Sequence, residues 1–81
     1  MRVRVRLFAR LREIAGEGEL ERDVPAGATP EAVWKLLAGE FPALARYRQV
    51  TSCAVNEEYA RFSTRVQEGD EIAFLPPVSG G

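Results

Sequence analysis

The sequence predicts an α+β fold in which a mixed β-sheet packs against one main helix. Three observations predict it. Residues 2–7 alternate arginine with aliphatic residues, residues 29–40 carry the start signals and apolar stripe of one long helix, and residues 71–75 form a second apolar strand. A chain of 81 residues, 46% of them hydrophobic, is enough for one small domain with a thin core.

The first strand has the strongest local signal in the chain. Val3, Val5 and Leu7 share one face, and the arginines at positions 2, 4 and 6 share the other, as in a half-buried strand. Three arginines on one face also fit a phosphate-binding patch. For so short a run we favour the interpretation of a solvated strand face.

The next segments are shorter. Residues 9–15 have helical apolar spacing, and Gly16-Glu17-Gly18 ends that helix. Residues 19–24 form a weaker strand that we place at an edge of the sheet, and Pro25-Ala26-Gly27 is a turn.

The main helix begins at Thr29-Pro30-Glu31, which supplies a hydroxyl N-cap, a proline at the first helical position and an acid at the positive end of the dipole. It runs to about residue 40, and Pro42 closes it. Trp34 falls on the apolar stripe, so we interpret it as a core residue rather than a ligand contact.

The second half of the chain is mainly β. Residues 43–49 fit a short helical turn, 50–55 a strand, Asn56-Glu57 a turn, 59–65 a short irregular strand, and 68–70 another turn before the last strand. The first and last strands have the best apolar faces, so we place them side by side in the sheet centre. Their connection spans the long helix, which predicts that they run parallel with a right-handed crossover. This is a ubiquitin-like β-grasp arrangement over residues 1–75.

Residues 76–81 are predicted to form a flexible, extended tail. Pro76 and Pro77 end the last strand and stiffen the start of the tail, and the sequence finishes on Gly80-Gly81. A Gly-Gly end has no side chains, so it can thread a narrow slot and present a bare carboxylate. The same tail, taken alone, also fits a frayed terminus.

Composition argues against several function classes. Histidine is absent and Cys53 is the single cysteine, so neither a zinc site of the usual Cys/His type nor an internal disulfide is expected. We expect Cys53 to be a small buried hydrophobe in a reducing cytoplasm. The net charge of −1 argues against nucleic-acid or anionic-membrane partners. No apolar run is long enough for a membrane span, no export signal is visible, and no phosphate-binding loop or bound metal is expected.

Three apolar residues fall outside the core pattern. Phe8 follows Leu7, and Leu75 is out of phase with the apolar face of the last strand. If the first and last strands are parallel, Phe8 and Leu75 lie near one edge and form an apolar patch beside the tail root. Tyr59 lies just beyond a turn. The alternative is that each is an isolated rim residue of a thin core.

Three segments together form a recognisable set of motifs: residues 8–13 (Phe-Ala-Arg-Leu-Arg-Glu), Ala54-Val55-Asn56 and, above all, residues 68–81. Within that last block, Gly69-Asp70, an apolar strand, Pro-Pro-Val, a small hydroxyl residue and Gly-Gly follow one another. In these segments the chain resembles the small, sulfur-carrier subunits of molybdopterin synthase, a family of ubiquitin-like proteins. The family has a second aromatic residue where Leu75 stands.

The resemblance implies that a partner enzyme uses ATP and magnesium to form an acyl-adenylate at Gly81. Sulfur from a donor such as a cysteine desulfurase then replaces AMP and leaves a thiocarboxylate. Gly80 gives clearance in the slot of the large synthase subunit. That subunit supplies the catalytic side chains and passes the sulfur to cyclic pyranopterin monophosphate, forming the molybdopterin dithiolene.

The resemblance also implies the docking residues and the assembly. The partner contacts are Phe8, Tyr59 and Leu75 on the body and Pro76, Pro77, Val78 and Ser79 on the tail. Two small and two large subunits form a heterotetramer, and the small subunit itself binds no cofactor.

Other functions remain open at this level. The same fold and ending suit a carrier for thiamine synthesis or tRNA thiolation, although Pro-Pro-Val disfavours the thiamine type. They also suit a ubiquitin-like modifier that forms isopeptide bonds with lysines, and an interaction module with an inert tail. In the synthase that the resemblance implies, the chain is the sulfur-donor subunit of a sulfurtransferase complex rather than the subunit that supplies the catalytic side chains.

Overall fold

The computed structural model describes residues 1–77, so the predictions for Val78, Ser79, Gly80 and Gly81 lie outside the described residues. The chain forms a five-stranded mixed sheet with one main helix, which confirms the predicted β-grasp class. The elements in chain order are β1 (Arg2–Leu7), α1 (Ala9–Ala15), β2 (Glu19–Asp23), α2 (Pro30–Glu40), a 3₁₀ segment (Pro42–Val50), β3 (Ser52–Val55), β4 (Glu58–Ala60) and β5 (Glu71–Leu75).

The sheet has the strand order β2-β1-β5-β3-β4. β1 and β5 are neighbours in its interior and run parallel, as predicted, whereas every other pairing is antiparallel. β2 is an edge strand, also as predicted. This topology places the first and last strands side by side, with the carboxyl ends of β1 and β5 at the same edge of the sheet.

The main helix α2 begins as its sequence predicts. The Thr29 hydroxyl accepts a hydrogen bond from the Ala32 backbone N–H at 3.2 Å, and Pro30 occupies the first turn. Its buried face includes Val33, Trp34 and Leu37. At the other end the Phe41 N–H still bonds the Leu37 carbonyl at 2.7 Å, and Pro42 then starts the 3₁₀ segment.

The core lies between α2 and one face of the sheet. Trp34 is 2% exposed and meets Phe74 of β5 edge to face, with ring centroids 5.1 Å apart, so its predicted core role is confirmed. Phe62 also stacks on Phe74, with ring centroids 6.0 Å apart. We call the opposite side of the sheet, which α2 does not cover, the open face.

The arginines of β1 lie on the open face beside carboxylates. Arg2 bonds Glu21 at 2.9 Å, and Arg4 lies 3.6 Å from Glu71. Arg6 is 3.8 Å from a carboxylate of β2. The arginines therefore form a charge-balanced solvated strand face, which agrees with the favoured interpretation over a phosphate-binding patch.

Two segment boundaries differ from the prediction. The third strand starts at Ser52 rather than residue 50, because the 3₁₀ segment continues to Val50 and Thr51 bonds back to it. The predicted strand over 59–65 is reduced to Glu58–Ala60, because the chain turns at residues 61–64, where the Thr64 N–H bonds the Arg61 carbonyl at 3.0 Å. No helix within residues 1–77 has the length and apolarity needed to cross a membrane.

Candidate functional site

The register of the two central strands places Phe8 and Leu75 together. Leu7 lies opposite Phe74 on the core face, so the next residue of each strand points to the open face at the same level. Phe8 and Leu75 are both half-buried, and both line a cleft of about 440 Å³. The predicted proximity of these two residues is therefore what the structure shows.

The cleft lies at the root of the tail. Its lining also includes Pro76 and Pro77, the last described residues of the chain. Leu75 pairs with Ser52 in the last register position of β5, and Pro76 has no N–H with which to extend the pairing. The chain therefore leaves the sheet at the cleft wall, with Pro76 half-buried and Pro77 exposed.

The opposite wall comes from the 3₁₀ segment, which the sequence analysis did not assign to any site. It contributes Tyr47 and Val50, and Val50 is 53% exposed, unusual for an aliphatic residue of this chain. The sequence signal that could have indicated this wall is Val50, an apolar residue in a segment without helical or strand periodicity. Ala9 and Arg10 of α1 complete the lining.

The backbone around Phe8 is arranged to hold its side chain at the cleft. Phe8 is extended, with φ −126° and ψ 156°, and its carbonyl caps α1 by accepting from the Leu11 N–H at 3.1 Å. Between them Ala9 has φ +50°, a left-handed conformation that is uncommon for any residue except glycine, asparagine and aspartate. The Arg6 guanidinium lies 5.1 Å from the centroid of the Phe8 ring, at the distance of a cation–π contact.

Tyr59 is on the same open face but outside the cleft. It pairs with Ala54 of β3, which in turn pairs with Ala73 of β5. Two strand spacings separate it from β5, roughly 10 Å. Tyr59 is 81% exposed and lines a separate hollow at the β4 edge with Val55 and Ala60. The structure therefore joins Phe8, Leu75, Pro76 and Pro77 at one place and leaves Tyr59 apart from them.

Arg10 is the charged residue of the cleft lining. Its guanidinium donates to Glu13 at 3.1 Å. The pKa of Arg10 is raised, first by its interaction with the Tyr47 hydroxyl and then by that with Glu13. Arg10 is therefore a permanent cation at the rim of an otherwise apolar cleft, and it has no basic lone pair with which to take up a proton.

Neither a reactive thiol nor a metal-binding cluster is found among the described side chains. Cys53 is 1% exposed, its thiol donates to the Ala60 carbonyl at 3.2 Å, and burial raises the pKa of that thiol, which disfavours the reactive thiolate. In the part of the chain that the structure describes, no three of the His, Cys, Asp and Glu side chains gather into a possible metal site. The arrangement fits docking and delivery of the tail.

Comparisons with known proteins agree with this geometry. The model of the ThiS family matches residues 5–81. The molybdopterin synthase sulfur carrier subunit of Arabidopsis thaliana is 42% identical over 79 residues, 98% of this chain and 82% of that protein. The small archaeal modifier protein 1 of Haloferax volcanii superposes with a TM-score of 0.85 at 32% identity, covering 95% of this chain and 98% of that one.

A further solved structure is a complex of subunits 1 and 2 of the molybdopterin-converting factor of Helicobacter pylori. The chain that matches has a TM-score of 0.68 and 28% identity, with 100% of both chains covered. With the family model matched over nearly its whole length and a relative above two-fifths identity, this chain belongs to the ThiS family, among the molybdopterin synthase sulfur carrier subunits.

Proposed function

We propose that this chain is the sulfur-carrying small subunit of a molybdopterin synthase, and that it carries sulfur as a thiocarboxylate on Gly81. One observation carries the proposal: the 42% identity to a sulfur carrier subunit extends over 98% of the chain, and the family match reaches residue 81. The Pro-Pro-Val-Ser-Gly-Gly segment is therefore inside the region of likeness.

In this proposal the chemistry occurs on the backbone carboxylate. A carboxylate is a poor acyl donor, and it is ionised at neutral pH because its ordinary pKa is about 3.3–3.7. An activating enzyme with bound ATP and magnesium forms the acyl-adenylate of Gly81 and releases pyrophosphate. Sulfur from a donor of the cysteine desulfurase type displaces AMP, and the thiocarboxylate remains.

The large subunit of the synthase is the proposed acceptor partner. A likeness to one chain of a two-subunit converting-factor complex supports such a partner for this chain. Phe8 and Leu75 dock the body, the segment Pro76–Ser79 enters the partner, and Gly80 gives the terminal carbonyl room in a narrow slot. Tyr59 is the proposed outer contact at the far side of the open face.

The side chains of this chain indicate which subunit supplies the catalytic groups. The sequence has no histidine, and Cys53 is buried with a raised pKa. The catalytic side chains that pass sulfur to cyclic pyranopterin monophosphate are therefore assigned to the large subunit, in a heterotetramer with two small subunits. The free, buried cysteine fits a cytoplasmic location.

A protein-modifying role is the second candidate, because a neighbour of this fold at 32% identity is named a modifier protein. Both roles share the adenylation step. They differ in the acceptor, which is a pterin precursor in one case and a lysine amine in the other. Carriers for tRNA thiolation or thiamine synthesis differ only in the downstream enzyme.

Intact-mass measurement tests the proposal. The full chain is incubated with its activating enzyme, ATP, magnesium and a sulfur donor, and one oxygen-to-sulfur exchange at Gly81 is expected. The large subunit and the pterin precursor are then added, and the mass returns to that of the carboxylate as molybdopterin forms. If no exchange occurs, the carrier function is refuted. If exchange occurs but only protein conjugates form, the modifier role replaces the synthase role.

A further inference from the structure

Phe8 lines a second hollow besides the cleft at the tail root. This hollow has a volume of about 350 Å³, and we call it the arginine hollow. Two of its lining side chains are cations and one is an anion, and the lining consists of Arg6, Leu7, Phe8, Arg12, Gly18 and Glu19. Phe8 is the residue that the arginine hollow and the apolar cleft share.

Gly18 gives the Arg12 side chain its place in the arginine hollow. The Leu7 N–H donates to the Gly18 carbonyl at 2.9 Å, which fixes Gly18 beside the end of β1. A Cβ atom at residue 18 would lie 3.2 Å from both Cδ and Nε of Arg12, closer than ordinary van der Waals contact. The Arg12 side chain therefore packs directly on the Gly18 backbone, in space that a larger residue would fill.

The end of helix α1 accounts for the charge of Arg12 but not for this packing. Arg12 is in the last turn of α1, where a cation interacts favourably with the helix dipole. That interaction needs a positive charge near the helix end and no contact with residue 18. Within residues 1–77, Arg12 has no carboxylate at ion-pair distance. Its charge is therefore without a counterion in the described part of the chain.

The carboxylate in the arginine hollow does not saturate the second arginine. The Oε1 atom of Glu19 is 3.8 Å from the Nε atom of Arg6, which is beyond hydrogen-bond distance. The Arg6 Nε–H is buried and has no hydrogen-bond acceptor among residues 1–77. Two cations and one anion leave the hollow with one uncompensated positive charge, directly beside Phe8.

We propose that the arginine hollow receives an aspartate or glutamate carboxylate of the protein that docks on Phe8 and Leu75, with Arg12 as the main donor to it. This inference deepens the proposed function, since it adds a charged contact to the docking of the large subunit. One carboxylate matches the uncompensated charge, whereas a phosphate dianion brings a second negative charge beside Glu19. The planar guanidinium of Arg12 offers two parallel N–H groups to a carboxylate.

The position beside Phe8 makes this contact stronger than an ordinary surface ion pair. An arginine–carboxylate pair that is open to water contributes little to affinity. When an apolar group of the partner covers Phe8, water leaves the edge of the arginine hollow and the effective dielectric constant falls, which strengthens the pair. The apolar cleft then supplies affinity, and the arginine hollow selects partners that carry an acid at the matching position.

Calorimetric titration of the full chain with the large subunit tests the contact. Arg12→Gln is expected to weaken binding about tenfold at about 0.1 M salt and by a smaller factor at about 0.5 M, because salt screens the pair. Arg46→Gln is the matched control and should stay within about twofold of wild type. Arg46 lies 5.6 Å from the Tyr47 ring beside the cleft, and within residues 1–77 it also has no carboxylate at ion-pair distance.

The outcomes of this titration separate the inference from the proposed function. Equal affinity of Arg12→Gln and wild type overturns the inference and leaves the proposed function standing. Equal losses in Arg12→Gln and Arg46→Gln also overturn the inference, because they reflect the net charge rather than a specific contact. A wild-type chain that does not bind the large subunit refutes both proposals.

Zero-length cross-linking identifies the group that occupies the hollow. Arg12→Lys keeps the charge and places an amine there, and a water-soluble carbodiimide is added to the complex of this variant with the large subunit. The carbodiimide activates a carboxyl group, the amine nitrogen attacks the activated carbonyl carbon and loses a proton, and a urea leaves as the amide bond forms. Peptide mapping is expected to join residue 12 to an aspartate or glutamate of the large subunit. A link from residue 12 only to carboxyl groups of this chain overturns the assignment.

Inorganic phosphate is the probe for the alternative occupant. The free chain, labelled with ¹⁵N, is titrated with millimolar phosphate, and the side-chain Nε–Hε signals of Arg6 and Arg12 are followed by NMR. No saturable shift of these signals is expected. Saturable shifts of both signals would make the arginine hollow a phosphate site and overturn the carboxylate assignment.

Discussion

Phe8 and Leu75 lie side by side because Leu7 and Phe74 are partners in the parallel pairing of β1 and β5. The partners on the core face fix the register, and burial makes a slip of one residue costly, since every side chain of the strand would change faces. The residues proposed for docking are therefore positioned by the most buried pair of strands. A surface held in this way is preorganised, so little of its binding free energy is spent on ordering side chains.

The first prediction concerns docking by this pair. Phe8→Ala and Leu75→Ala are each expected to weaken binding to the large subunit by about 1–3 kcal/mol, a factor of about 5 to 150, because central apolar contacts carry most of the binding free energy of an interface. Titration calorimetry measures the effect. Leu36→Ala, which removes a partly buried leucine on α2, is the control and should leave affinity unchanged. Equal losses in all three variants contradict the assignment.

The second prediction separates the fold from the tail. Deletion of Gly81 is expected to abolish sulfur transfer without changing the circular dichroism spectrum or the melting temperature, because the buried core lies within residues 1–77. Gly81→Ala should behave in the same way if the slot admits no side chain. A reconstituted synthase assay checks the activity, and full turnover by the shortened chain would refute the role of Gly81.

The strands and the main helix could be predicted from the sequence because their apolar residues recur with a regular period. The alternation over residues 2–7 and the cap at Thr29 are local, and burial then selects one face. Phe8 and Leu75 could be predicted as surface candidates for the opposite reason, since each is an apolar residue at a position where the alternation of its strand predicts a polar one. Such a residue is either at a rim or at a binding surface.

The rest of the site depends on tertiary packing. Tyr47 and Val50 reach the cleft from a 3₁₀ segment, and 3₁₀ helices have no lasting apolar stripe to detect. Tyr59 is exposed as expected for a residue after a turn, but its distance from the cleft follows from strand order, with β3 between β4 and β5. The left-handed conformation of Ala9 has no signal in the sequence, since alanine is not favoured there.

The third prediction concerns the Asn56 side chain, which ties the β3–β4 hairpin to β5. Its amide donates to Asp70 at 3.0 Å, and its carbonyl oxygen accepts from the Glu71 N–H at 3.0 Å. Asn56 also has φ +50° in a two-residue turn, where asparagine and glycine are favoured. Asn56→Ala is expected to lower the free energy of unfolding by about 2 kcal/mol, because alanine makes neither side-chain hydrogen bond and is not favoured at φ +50°.

Asn56→Gly keeps the permitted backbone conformation and loses only the side-chain bonds, so it should cost about half as much. Urea denaturation of the two variants measures the difference. If Asn56→Gly is as unstable as Asn56→Ala, the turn conformation contributes nothing, and the side-chain bridge accounts for the whole effect.

The fourth prediction concerns the backbone at the cleft. Ala9→Gly is expected to raise the free energy of unfolding by between zero and about 1 kcal/mol. The reason is that glycine adopts φ +50° without the steric cost that alanine bears. Ala38→Gly in α2 is the matched control. The same substitution there should destabilise by about 1 kcal/mol, as in an ordinary helix. Thermal unfolding measures the change in stability of each variant relative to wild type. Loss of stability in both variants would show that Ala9 is not strained.

The fifth prediction concerns the pH dependence of the pair Glu31–Arg48. The Arg48 side chain donates to both Glu31 oxygens, at 3.0 and 3.1 Å, and stacks 3.4 Å from the Phe62 ring centroid. Hydrogen bonding to Arg48 is the main cause of the lowered pKa of Glu31. A carboxyl group with a lower pKa in the folded state stabilises the fold above its ordinary value of 4.5. That contribution is lost as the pH falls through the folded pKa.

Glu31→Gln is therefore expected to lower the free energy of unfolding at pH near 7 by at most about 1 kcal/mol, since both side chains are about one-third exposed and solvent screens the pair. The difference from wild type should vanish in acid, where the wild-type carboxyl is also neutral. Glu17→Gln is the control, because in residues 1–77 its carboxylate has no arginine at ion-pair distance. Urea unfolding over a pH series makes the comparison, and a constant difference between Glu31→Gln and wild type would mean that the ion pair contributes nothing to stability.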